Sequence, residues 1–169
     1  MENLFTVITI DTFWRILLFI HFLLALALLA AVTLQAAAAL MPARQAAGRI
    51  AGAATIDRNP VPAPSYATLV VVLYVLQTLM GAWIYVKYRT YVRIPLEELH
   101  QWRTVGSFEF KEHVVAMGLG LLPAYWHLWR HPAAGHARLR RLVTIFLALS
   151  VWYSFVVGHV ANDFRGVGS

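Results

Sequence analysis

Apolar residues along this chain come in long runs rather than in alternation, and four runs dominate: 13–40, 66–86, 110–129 and 142–160. A helix needs about 20 apolar residues to cross the hydrocarbon of a bilayer, and each run comes close to or exceeds that length. The segments between them differ in character. "MPARQAAGRIAGAATIDRNPVPAPS" carries three prolines between Asn59 and Ser65 and predicts an extended link into the second helix. "KYRTYVRIPLEELHQWRTVGSFE" mixes aromatic and charged residues, and Leu96, Leu99 and Trp102 at helical spacing predict a short helix lying on the membrane surface. "RHPAAGHARLRR" is a short basic turn that makes the last two helices antiparallel neighbours. The expected fold is all-α: an integral membrane four-helix up-and-down bundle, with residues 1–169 as a single transmembrane domain and a short interfacial helix between helices two and three.

Composition agrees with that pattern. Of 169 residues, 60% are hydrophobic and only 13% charged, and the mean hydropathy of +0.63 lies outside the range of ordinary soluble domains. The opening "MENLFTVITID" has no basic residue and leads into an apolar run too long for a cleavable signal peptide. Cysteine is absent, which excludes disulfides, thiolate zinc sites, iron–sulfur clusters and covalent c-type haem attachment. A bound cofactor must then be held by histidine, carboxylate or thioether. The formal net charge of +6 forms no nucleic-acid patch, and contact with the headgroups of a lipid bilayer accounts for it. Lys and Arg divide evenly, seven to each side, so the positive-inside rule leaves orientation open. The four arginines of the last turn favour placing that turn inside, and a bacterial inner membrane is the expected location.

Histidine carries the candidate chemistry. In an up-and-down bundle the starts of helices one and three and the ends of two and four share a side, which puts His21, His113 and His159 near one membrane face. Ionisable groups at such depth are costly in lipid and mark functional sites by default. In the third helix His127 follows His113 by fourteen residues, a step that returns within about 40° and rises about 21 Å, so the two share a face. Ala116, Gly120 and Ala124 lie between them on that face and would leave a slot beside the helix, suited to close helix packing or to a flat ligand. His21, Ala25, Leu28, Val32 and Gln35 form an inward stripe of helix one, Tyr74, Gln77, Gly81 and Tyr85 one of helix two, and Ala148, Trp152, Phe155 and His159 one of helix four.

The third helix, "HVVAMGLGLLPAYWH", resembles the haem-bearing helices of membrane b-type cytochromes, in which four helices hold haem b by axial histidines and electrons pass between a quinol and a partner protein. The resemblance covers one helix motif and the architecture. It implies His113 as one axial ligand with His21 or His159 opposing it, and Gly120 beside the haem. His127 has no opposing histidine, which implies a single haem. Arg15, Lys111 and Arg165 are placed to pair with propionates, and Glu112, Gln77 and Tyr85 to tune the ligands. The function expected is single-electron transfer, with a quinone as exchange partner and a redox protein or larger membrane complex beyond it. Two alternatives stand beside it. The three histidines could hold a single Zn, Cu or Fe ion directly. The chain could also be a cofactor-free accessory subunit of a respiratory or photosynthetic membrane complex.

Overall fold

The computed structural model describes residues 4–40 and 64–163, and the proline-rich link falls outside the described residues. Among them every regular element is helical: α1 (Leu4–Leu40), α2 (Pro64–Tyr88), α3 (Ile94–Glu98), α4 (Trp102–Arg130) and α5 (Ala137–Asp163). Four helices are long, and the segments Thr12–Leu40, Ser65–Glu98 and Ala137–Val160 are long and apolar enough to cross a membrane. The α4 segment is not among them: Glu109, Lys111, Glu112 and His113 interrupt its first half, and Pro123, His127 and Arg130 lower the hydropathy of its second.

Each long helix packs against two others, α1 on α2 and α5, and α4 on α2 and α5. Cross-helix hydrogen bonds fix the directions. Tyr66, at the start of α2, donates to the Ala31 carbonyl late in α1 at 3.2 Å, while Gln77 and His21 meet at 3.1 Å, so this pair is antiparallel. Trp126 donates to Thr68 and Tyr74 to the Val115 carbonyl, which sets α4 against α2 in the same sense. Trp129 donates to Thr144 and Tyr153 to the Ser107 carbonyl between α4 and α5. Trp152 donates to Thr33, and Arg141 to the Ala39 carbonyl, between α5 and α1. Three of these bonds join an indole to a threonine. Two of those threonines, Thr33 and Thr144, donate in turn to carbonyls of their own helix. Such pairs satisfy polar groups that hydrocarbon would leave bare and are worth roughly 0.6–2 kcal/mol each.

The largest core joins all four long helices, with Val32, Val70, Leu122, Tyr125 and Leu147 almost fully buried. A smaller one lies where α2, α3 and α4 meet, built from Tyr88, Val92, Leu96, Val105 and Phe108. The segment after α2 departs from its expected form. Instead of a separate helix lying on the surface, a π-helical turn at Arg89–Arg93 carries α2 on into α3, Leu96 is buried in the small core, and Leu99 and Trp102 are exposed. Arg93 ties this segment down, reaching Glu97 one turn on and Glu109 across in α4, both at 2.7 Å.

The chain then reverses at His100, whose φ of 55° is the left-handed conformation that favours glycine. The Gln101 amide donates to the Leu96 carbonyl and the His100 amide to the Glu97 carbonyl, the Schellman arrangement that closes a helix. His100→Gly should remove the left-handed penalty and stabilise the fold by about 1 kcal/mol. A rise of a few degrees in the unfolding midpoint in detergent would show it, and a lower midpoint would refute the assignment.

Candidate functional site

The antiparallel pairing creates two chemically different ends. One holds the end of α1, the starts of α2 and α5 and the end of α4. The other holds the end of α2, α3 and the start of α4, with the residues around His21 and Ser154. All described acidic residues, Asp11, Glu97, Glu98, Glu109, Glu112 and Asp163, belong to helix segments at this second end.

His21 is the histidine that faces inward there. One of its ring nitrogens, Nε2, sits 3.1 Å from the Gln77 side-chain nitrogen, and its Cε1 lies 3.4 Å from where a Cβ on Gly81 would stand. Gly81 thus lets α2 pass close beside the ring. Lys111, from α4, is near enough for its charge to act on His21. The Lys111 ammonium also stands 3.7 Å from the centre of the Phe108 ring, which stacks on Tyr88 at 3.7 Å and 13°. Tyr85 stacks behind them, 5.9 Å from Tyr88 and 6.4 Å from Phe108. The result is a flat aromatic wall with a cation on it, beside an imidazole and a carboxamide.

Several polar atoms in this half are buried without a protein partner: Nδ1 of His21, Oε1 of Gln77, the Tyr88 hydroxyl and the Ser154 hydroxyl. They come from α1, α2 and α5, and Lys111 adds α4. An unpaired buried polar group costs about 1–3 kcal/mol, and these four, against Gln35 Nε2 and Arg140 Nη1 in the other half, leave more hydrogen-bonding capacity open here.

The other expected site residues lie elsewhere. His113 is exposed, and its Nδ1 lies 2.8 Å from the Glu109 carbonyl one turn back in its own helix. His159 is exposed and stacks on Phe155 of its own helix at 6.4 Å. Arg15 is exposed on α1. The expected slot is a correction: Ala116, Gly120, Ala124 and His127 are exposed along with His113, and a Cβ on Gly120 would meet no heavy atom within 4 Å. The buried face of α4 runs instead through Val114, Gly118, Leu122 and Tyr125. The inward stripes of α1 and α2 hold, while in α5 Trp152 and His159 turn outward and Thr144, Leu147, Ser150 and Val151 turn in.

Two imidazoles are therefore not set across one space, and among the described residues no three His, Asp or Glu side chains gather closely enough to hold a metal ion. A haem with two axial histidines from one chain does not fit this side-chain arrangement. Tyr88 and Ser154 escaped the sequence reading because a single tyrosine or serine in an apolar helix gives no periodic signal. Comparison with protein-family models, with curated proteins and with solved structures finds no match.

Proposed function

We propose that the chain is a multi-pass integral membrane protein, a four-helix up-and-down bundle whose working site is the polar group around His21, and that this site receives the carbonyl headgroup of a lipid-soluble electron carrier of the quinone class. The observation that carries the reading is that His21 and Gln77 meet at 3.1 Å while Lys111, whose charge reaches His21, lies over the stacked rings of Phe108, Tyr88 and Tyr85. Quinone carbonyl oxygens accept hydrogen bonds, and imidazole, carboxamide, ammonium and phenol all donate them. An aromatic wall suits a flat ring. A cation beside the carbonyl favours the reduced, anionic form, and the His21 imidazole can hydrogen-bond the carbonyl oxygen. Electrons would enter from or leave to a partner redox protein or a larger membrane complex.

The expected result is that purified protein binds a short-chain quinone and quenches its tryptophan fluorescence saturably. A quinone that partitions into empty detergent micelles as well as into protein-containing ones would defeat the reading.

Haem b is the second reading, and the inward ring of His21 with its unpartnered Nδ1 is what favours it. His21 would supply one imidazole ligand from within the bundle, and a second ligand would have to come from a group other than the exposed His113 and His159. A Soret band that sharpens on reduction in the purified protein is expected under that reading. A colourless preparation with native helicity would leave the quinone site alone.

A further inference from the structure

The arginine end of the molecule has its own unexplained chemistry. Arg130 closes α4, and Arg138, Arg140 and Arg141 fall in the first turn or so of α5. Among the described residues no acidic side chain lies at this end, and Asp57 belongs to the link outside them. The amino-terminal turn of a helix carries the positive end of its dipole and free N–H groups, so cations crowded there repel one another and the helix alike. An anion bound there relieves both.

The individual arginines differ in what already holds them. Arg141 donates to the Ala39 carbonyl at the end of α1, where a cation is favourable. The guanidinium carbon of Arg130 lies 4.8 Å from the Trp126 ring centre, and that of Arg140 5.4 Å from the Trp129 ring centre. Neither ring neutralises a charge, and Nη1 of Arg140 is buried without a partner. Arg138 is exposed beside them. Leu139 and Leu142, 52% and 55% exposed, sit among these arginines on the same turns.

We propose that the α4–α5 turn binds the phosphate of an anionic phospholipid, held by Arg138 and Arg140 with Arg130 at the rim, while Leu139 and Leu142 meet the acyl chains. The exposed leucines and the part-exposed Trp126 assign the phosphate to a lipid rather than to a soluble ion, since a soluble ion needs no apolar border. This rests on the membrane insertion proposed above, which resistance to alkaline extraction reports separately. The site also makes this end the one that faces an anionic leaflet.

The test uses the full chain in mild detergent with equal amounts of dioleoyl phosphatidylglycerol and dioleoyl phosphatidylcholine, read by native mass spectrometry. Phosphatidylglycerol should be retained preferentially, and Arg138→Gln and Arg140→Gln should each lower that retention on the order of five-fold. Arg103→Gln, at the opposite end, should not change it. Arg138→Gln alters an exposed side chain, so it keeps the test decisive if Arg140→Gln misfolds. Equal retention of the two lipids, or unchanged retention in Arg138→Gln, overturns the proposal. Displacement of the lipid by millimolar inorganic phosphate would assign the site to a soluble anion and overturn the lipid assignment.

Discussion

Replacing Gly118 with alanine is expected to unfold or severely loosen the protein, the largest structural effect of any single methyl group added here. A Cβ at that position would overlap the Tyr74 hydroxyl and lie 2.7 Å from its Cζ and 3.4 Å from a methyl of Leu147. Tyr74 cannot simply move aside. It is 2% exposed, and its hydroxyl donates to the Val115 carbonyl three residues before the glycine. Overpacking of a tight core costs about 1–3 kcal/mol and sometimes more, and here it would also displace a buried hydrogen bond. Gly120→Ala, two residues on, meets open space and should be neutral or mildly stabilising because alanine is the better helix former. Thermal unfolding of both variants in detergent checks the contrast. Equal midpoints for Gly118→Ala and wild type would mean that α4 does not pack on α2 through this face.

The second large effect concerns function. His21→Ala and Lys111→Met should each weaken binding of a short-chain quinone on the order of ten-fold or more, because hydrogen bonds and contacts to charged groups in a dry site are worth about 1.5–3 kcal/mol. Gln77→Leu should weaken it less directly, by freeing the His21 ring from its 3.1 Å contact. His113→Ala and His159→Ala, which alter exposed rings bonded or stacked within their own helices, should leave quinone binding unchanged. The opposite ranking would remove the His21 site and return attention to the outer histidines. Fluorescence titration at matched detergent concentration measures all five variants on one scale.

These two predictions differ in how far the sequence could have supported them. The inward stripe of α1 was legible because His21 and Gln35 are polar residues in an otherwise apolar helix, and only a protein interior or an interface accepts them. Gln77 was legible for the same reason, and it became the direct partner of His21. That His113 and His159 share an end of the bundle followed from helix order alone. Their facing did not, because a helix that begins near the interface can turn its charged residues to headgroups on either side.

Gly118 and Gly120 make the same point within one turn. Both are glycines in "HVVAMGLGLLPAYWH", and nothing in that stretch tells their surroundings apart. Which one meets a neighbour depends on the rotation of α4 about its axis, and that rotation is set by the shape of Tyr74 on another helix.

The order of residues by itself thus determined that the chain is helical, where the long apolar helices run, which polar residues share an end, and that any cofactor must be held without cysteine. Only the tertiary structure decided which face of α4 and α5 turns inward, that α2 continues into α3, and that His21 stands without a second histidine. The physical reason is the solvent expected around these helices. In water an apolar stripe announces the buried face, but α1, α2 and α4 show almost no such asymmetry, because lipid and protein core are equally apolar. Rotation is then fixed by close contacts and hydrogen bonds between helices, and those exist only once the helices have met.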